Sequence, residues 1–132
     1  MAPVLTVAVL VFPDVEPLDV AGPFEVLAVA GELAAAAGDG TPAPRPELVG
    51  TAPGLVRSRY GMILAPETSL ERPVSPDWVV VPGGDGSRAV AEDARTLDWL
   101  RGRVGRSRRI MSVCTGARVL AAAGLLDGRR AT

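Results

Sequence analysis

The sequence predicts an α/β fold, in which a doubly wound, mostly parallel sheet carries helices on both faces. Nearly continuous apolar runs are typical of central strands that are covered on both sides, and here they are residues 5–12, 78–81 and 109–113. Helical patterns separate these runs, and strands that alternate with helices imply right-handed crossovers and parallel pairing. The 132 residues suffice for one domain with a core but not for two domains.

The first strand leads into the first helix through a predicted turn. Residues 16–23 form this turn, and Pro23 suits the first turn of a helix that runs from Phe24 toward Ala37. Asp19 is expected just upstream of this helix or within its first turn. A loop rich in glycine and proline, residues 38–44, follows the helix.

Shorter elements fill the rest of the chain. In order, we predict a short strand around 47–49, a hairpin or edge excursion over 52–65, a polar connection over 66–77, a strand at 78–81, a helical turn at 87–91, a helix from 94 to about 106 and a strand that ends at the cysteine. Asp93 is predicted to cap the helix that begins at Ala94, because its carboxylate can accept from the first free amides.

The only cysteine of the chain, Cys114, directly follows the last apolar run. Small residues and a helical pattern over 119–123 come next, which predicts a strand, a sharp turn and a helix start, as in a nucleophile elbow. The unpaired N–H groups and partial positive charge of a helix start favour thiolate over thiol, and the thiolate is the competent nucleophile. We therefore predict a reactive thiol at the apex of the turn, the alternative being a buried structural cysteine.

Two further features fall with Cys114 at the carboxyl ends of the predicted strands, where doubly wound sheets place their sites. The amides of Gly83 and Gly84, together with that of Thr115, are candidates for holding a developing anion, although a tight turn alone also requires glycine. Asp19 is a candidate proton carrier, because a carboxylate and a thiolate repel each other and one of them must hold a proton. Its alternative role is to cap the helix.

Three other residues near these positions have open roles. Glu16 lies in the same turn as Asp19 and is a rival carboxylate. Thr115 offers either a hydroxyl at the helix start or a hydrogen bond to the substrate. Arg118 is predicted to be a solvated arginine rather than a clamp for a ligand.

Composition excludes several classes of function. The net charge of −1 offers no basic field for nucleic acid, and the absence of histidine removes Cys–His dyads and histidine metal sites. We expect no metal and no cofactor, and a small molecule as the partner. One cysteine excludes an internal disulfide and fits a reducing compartment. With neither a signal peptide nor an apolar stretch of membrane-spanning length expected, the predicted location is cytoplasmic.

Four segments together resemble the DJ-1/PfpI family of the class I glutamine amidotransferase-like superfamily. They are Phe12-Pro13, Leu18–Leu27, Val81–Gly84 and Ser112–Gly116. The Leu-Asp-x-x-Gly-Pro turn and the Ser-Val-Cys-Thr-Gly elbow are most similar to the isonitrile hydratase branch. The resemblance implies a flavodoxin-like fold and a homodimer. It also implies that Cys114 is the nucleophile, Asp19 the catalytic carboxylate and Thr115 an assisting residue.

The reaction implied by the resemblance adds water to an isocyanide, R–N≡C, and yields an N-substituted formamide through a thioimidate on Cys114. The alternative is the ligand-sensing domain of an AraC-type transcriptional regulator, whose DNA-binding region is absent from this sequence. A peptidase or glyoxalase-like member is disfavoured, since those members usually use glutamate and often a histidine near the cysteine. Family domains continue past residues 128–132, so the resemblance implies one domain over 1–132 that is incomplete at its C-terminus.

Overall fold

The computed structural model describes residues 2–132, in which the main sheet has five strands. The strands are β1 Val4–Val11, β2 Ala43–Gly50, β3 Val56–Arg57, β4 Ile63–Leu64, β5 Thr68–Ser69, β6 Trp78–Val81 and β7 Arg109–Ser112. The helices are α1 Pro17–Ala37, α2 Ser87–Val90, α3 Ala94–Arg101 and α4 Gly116–Ala122. The main sheet has the order β5-β2-β1-β6-β7 with every pair parallel, and β3 and β4 form a separate antiparallel hairpin. The predicted α/β fold with a parallel sheet is confirmed.

Strand β1 lies at the centre of the sheet and of the core. It pairs with β2 on one side and with β6 on the other. Every residue from Val7 to Phe12 is buried, as expected for a strand covered on both faces. Val79 and Val81 of β6 are also fully buried. The continuous apolar runs of the sequence therefore mark the strands whose carboxyl ends carry the candidate site.

Strand β2 is longer than predicted and contains two prolines. The prediction of a short strand at 47–49 missed its first half, because proline in a strand usually signals an edge or an end. Within β2, the backbone N–H and C=O groups of every second residue point away from β1 and toward the side where β5 lies. Leu48 and Gly50 are two such residues, because their carbonyls accept from the Glu67 and Leu70 amides. Pro44 and Pro46 lie four and two residues before Leu48, so their nitrogens, which carry no hydrogen, face the same side. Because β5 pairs only with the last two residues of β2, no ladder bond is lost at the prolines.

Helix α1 begins at Pro17, so the predicted turn over 16–23 is wrong from Pro17 onward. A proline at the first helical position has its φ already set for the helix and lacks only an amide that would be unpaired there. Pro23 therefore lies inside α1 and does not mark its start. Asp19 lies in the first turn of α1, which was one of its two expected positions, the other being just upstream of the helix.

Because α1 starts at Pro17, it is long and apolar enough to cross a membrane, judged by length and composition alone. It is the one such helix within residues 2–132. The expectation that no apolar stretch reaches that length is therefore wrong, since the residues expected as a turn extend the helix to 21 residues. The helix contacts β1 and β2 as the crossover between them. Mostly buried core helices and signal sequences pass the same test, and only 17% of the apolar window of α1 is buried, so this one helix is weak evidence for a membrane span.

Two predictions on the second half of the chain need correction. Helix α3 ends at Arg101 rather than near residue 106, because the amides of Arg103 and Val104 donate only three residues back and the backbone turns over 102–106. The connection over 66–77 contains the two-residue strand β5, which pairs with the end of β2. The predicted cap of α3 is confirmed, since the Asp93 carboxylate accepts from the Thr96 amide at 3.3 Å.

We predict that Gly116→Ala lowers the free energy of unfolding by about 1–3 kcal/mol, the usual effect of overpacking a filled site. Gly116 is buried at the start of α4, and a Cβ there would collide with the carbonyl oxygen of Val81 and lie 2.8 Å from that of Pro82. Urea denaturation followed by far-UV circular dichroism measures the change. Gly22→Ala is the matched control, because no atom lies within 4 Å of a Cβ at that helical position. Equal stability of the two variants would contradict the prediction.

Candidate active site at the carboxyl ends of the strands

The loops that follow β1, β6 and β7 meet at one end of the sheet, because these three strands are neighbours and run in parallel. The segment after β1 is held between two other loops. On one side, the amides of Glu16 and Gly86 donate to the carbonyls of Gly83 and Asp14, at 3.0 and 3.1 Å. On the other side, the Arg59 amide donates to the Val15 carbonyl at 2.9 Å. Backbone hydrogen bonds thus fix the relative positions of the three loops.

The structure brings four of the predicted site residues into direct contact. The Gly83 amide donates to Asp19 Oδ2 at 3.1 Å, and the Gly84 amide donates to Thr115 Oγ1 at 3.0 Å. Both glycine amides therefore hold side chains of the site in the resting protein. The Gly83–Gly84 turn connects the first turn of α1 with the residue that follows Cys114.

Asp19 and Thr115 can both approach the turn only because Gly83 has no side chain. A Cβ at this position would lie 2.6 Å from both the amide nitrogen and the hydroxyl of Thr115, and 3.1 Å from Asp19 Oδ2. Gly84 has a φ of +107°, and a Cβ there would collide with the amide nitrogen of Glu16. A side chain at either glycine would push apart the elements that the turn joins.

Cys114 forms a sharp elbow between β7 and α4, as predicted. Its φ is +54°, a left-handed conformation that is uncommon for residues other than glycine and costs roughly 1–2 kcal/mol. The amide of Val113 donates to the Val81 carbonyl at 3.0 Å, and the amide of Gly116 donates to the Val113 carbonyl at 2.9 Å. The thiol is exposed, so the alternative of a buried structural cysteine is wrong.

The exposed thiol faces a small cleft of about 170 Å³. The residues that line it are Glu16, Arg59, Gly84, Asp85, Arg88, Cys114, Thr115 and Arg118. Of the two candidate carboxylates, Glu16 lines this cleft, whereas Asp19 is half-buried and rests against Gly83. Three larger grooves on residues 2–132 include neither carboxylate and no part of the elbow.

Four residues at the site were missed by the sequence analysis, namely Ser87, Arg59, Arg88 and Asp85, the last of which pairs with Arg59. Ser87 is completely buried, and its hydroxyl lies 3.3 Å from Thr115 Oγ1, where it can donate a hydrogen bond. Its place three residues after Gly84, at the start of the short helix α2, is the sequence signal for this contact. Arg59 and Arg88 line the cleft from the β3–β4 hairpin and from α2. Nothing local in the sequence marks these arginines, since only the tertiary fold brings them to Cys114.

The side chains near the elbow do not form an evident metal site. Among residues 2–132, no group of three or more histidine, cysteine, aspartate and glutamate side chains is arranged so that it could hold an ion. The groups available for chemistry and binding near the elbow are the Cys114 thiol, the backbone amides and the following side chains: the carboxylates Glu16, Asp19 and Asp85, the hydroxyls Ser87 and Thr115, and the arginines Arg59, Arg88 and Arg118.

Comparison with known proteins gives a consistent result. The chain is 40% identical to an isonitrile hydratase from Pseudomonas putida over 128 residues, which cover 97% of this chain and 51% of that protein. It is 44% identical over 50 residues, 38% of this chain and 19% of the relative, to an HTH-type transcriptional regulator from Mycobacterium tuberculosis.

The fold comparison agrees with the sequence comparison. A crystal structure of a ThiJ/PfpI family protein from Pseudomonas syringae superimposes with a TM-score of 0.79 at 29% identity, over 96% of this chain and 49% of that one. The chain thus spans about half the length of the isonitrile hydratase and of this structure. The sequence model of the DJ-1/PfpI family matches residues 5–132. The chain belongs to the DJ-1/PfpI family.

Proposed function

We propose that this domain is a cysteine-dependent, isonitrile hydratase-like enzyme that adds water to an isocyanide and yields an N-substituted formamide. The observation that carries the proposal is the convergence of Asp19 and Thr115 on the Gly83–Gly84 turn, beside the exposed thiol of Cys114. The 40% identity with an isonitrile hydratase supports the same reaction class.

The first step joins the sulfur to the isocyanide. The thiolate of Cys114 forms a bond to the terminal carbon of R–N≡C, and the same carbon takes a proton from Asp19, which gives the thioimidate R–N=CH–S–Cys114 and a carboxylate. Oδ2 of Asp19 is held by the Gly83 amide, whereas Oδ1 has no hydrogen-bond partner among residues 2–132. Oδ1 is therefore the oxygen that we assign to carry the proton.

The second step consumes water and releases the product. Water adds to the thioimidate carbon while the nitrogen is protonated, which forms R–NH–CH(OH)–S–Cys114. The carbon–sulfur bond then breaks, the formamide R–NH–CHO leaves, and the hydroxyl proton returns to the Asp19 carboxylate. The thiolate and the protonated carboxyl group are restored, so the cycle needs no cofactor.

The backbone amides have divided roles in this proposal. Those of Gly83 and Gly84 already donate to Asp19 and Thr115, so their first contribution is to position these two side chains. The Thr115 amide donates to no acceptor among residues 2–132 and remains available to steady charge as the adduct forms. The proposed anion-holding role of the glycine amides requires that these hydrogen bonds exchange during the reaction.

A second candidate function is the sensing of a small ligand without turnover, as in the ligand-binding domain of an AraC-type regulator. The similarity to an HTH-type transcriptional regulator over 50 residues favours it. A sensor would use the same cleft but would release its ligand unchanged. Product formation therefore distinguishes the two candidates.

We predict that the Cys114→Ala variant forms no formamide at any pH, because no other thiol exists in the chain to form the thioimidate. The measurement is chromatography of N-cyclohexylformamide formed from cyclohexyl isocyanide. Far-UV circular dichroism of the variant provides the control for folding. A wild-type protein that binds cyclohexyl isocyanide but makes no formamide would favour the sensor.

We predict that Asp19→Asn lowers kcat by about 10²–10⁴-fold with a smaller change in KM, because the proton carrier is lost while the shape of the side chain is kept. The amide oxygen of asparagine can still accept from Gly83. Glu16→Gln is the matched variant, since Glu16 is the rival carboxylate of the same segment and lines the cleft with the thiol. If Glu16→Gln loses kcat and Asp19→Asn retains it, Glu16 is the proton carrier instead.

A further inference from the structure

We propose that Arg88 and Arg118 select a substrate that carries a carboxylate, so that the favoured substrates are short isocyano-carboxylates. This inference rests on the proposed function for the reaction at Cys114. The preference for an anion rests only on the charges and contacts of the cleft.

The arginines of the cleft differ in their partners. Arg59 forms an ion pair with Asp85 at 3.4 Å, and its guanidinium lies 4.9 Å from the centre of the Tyr60 ring. Arg88 and Arg118 form no ion pair and no side-chain hydrogen bond with any residue in the range 2–132. Both exposed arginines line the same cleft as Cys114, so their guanidinium groups are free to bind a ligand. For Arg118 this replaces the expected role of a solvated arginine.

The backbones that carry these two arginines are fixed relative to the thiol. Arg88 follows Ser87, which is completely buried and in hydrogen-bonding distance of the Thr115 hydroxyl. Arg118 lies one helical turn after Cys114, and its amide donates to the Thr115 carbonyl at 3.0 Å. Both side chains therefore start from positions set by Thr115, which suits the binding of one small ligand next to the sulfur.

The charges of the cleft leave room for one anion. Arg59 is paired with Asp85, so among the other residues that line the cleft Arg88 and Arg118 outnumber the one carboxylate, Glu16. The Cys114 thiolate balances this extra positive charge until its sulfur bonds to carbon. Asp19 becomes a carboxylate in the same step, but it rests against the Gly83 amide and does not line the cleft. The planar guanidinium matches a carboxylate in shape and in hydrogen-bond geometry.

The cleft beside Cys114 is small, about 170 Å³, so a short substrate suits it. Isocyanoacetate is the shortest isocyano-carboxylate with a methylene spacer. Its carboxylate is separated from the isocyano group by one methylene, which allows it to reach an arginine while its terminal carbon lies at Cys114.

The anion preference can be tested without any turnover, because Cys114 is the only thiol. Iodoacetate and iodoacetamide have nearly the same shape and both alkylate the thiolate, but only iodoacetate carries a charge. A change in the fraction of thiolate alters both rates equally, so the ratio of the two rates reports recognition of the carboxylate. Intact-mass spectrometry follows both reactions in the folded protein and in the urea-denatured chain.

We expect the iodoacetate-to-iodoacetamide ratio to be higher in the folded protein than in the denatured chain. Arg88→Gln and Arg118→Gln should each lower this ratio by about two- to fivefold, and the double variant by about tenfold, as for partly exposed ion pairs. The control is Arg45→Gln, which removes the same charge from β2, away from the cleft, and should leave the ratio unchanged. Salt should reduce the wild-type ratio.

A ratio that equals that of the denatured chain, or that falls equally in Arg45→Gln and Arg118→Gln, overturns the anion preference. Turnover then tests the substrate: kcat/KM for isocyanoacetate should exceed that for its methyl ester, and the arginine variants should remove the difference. Equal turnover of acid and ester overturns the substrate class. Formamide from neither compound, with the alkylation ratio as expected, overturns the proposed hydration while the anion site stands.

Discussion

The close packing around the α-carbon of Gly83 is the constraint on which the site depends. Asp19 comes from the first turn of α1 and Thr115 from the start of α4, two elements that are distant in the sequence. They come close to each other because β1 and β7, the strands that precede them, lie on either side of β6. In addition, Gly83 in the turn after β6 has no side chain that would separate them. Any residue larger than glycine would displace the carboxylate, the hydroxyl or both.

The Thr115 hydroxyl carries this constraint into the rest of the cleft. It accepts from the Gly84 amide and has the buried Ser87 hydroxyl at 3.3 Å, so it joins the turn after β6 to α2 and α4. The arginines that we assign to anion binding are attached to those two helices. The same hydroxyl therefore contacts the elements that carry both the residues proposed for the chemistry and those proposed for substrate selection.

The parallel sheet could be predicted from the sequence because continuous apolar runs identify central strands. The topology of such a sheet determines where the ends of its strands meet, so the elbow and the meeting of the three loops could be predicted as well. It misplaced the start of α1 and the length of β2, where proline plays roles that depend on neighbours outside the segment. Arg59 and Arg88 were missed because exposed arginines carry no local pattern. The homodimer, the cytoplasmic location and the roles of Cys114 and Asp19 stay predictions.

The left-handed conformation of Cys114 supports the proposed reaction. A left-handed φ at a residue other than glycine lowers stability by roughly 1–2 kcal/mol, and such strain is concentrated at functional sites. A cleft that only binds an anion needs its arginines, but it does not need an exposed thiol held in this conformation. Nor does it need a carboxyl group fixed by one oxygen while the other is left without a partner among residues 2–132. These two features are explained together if the sulfur forms a bond and Asp19 supplies the proton.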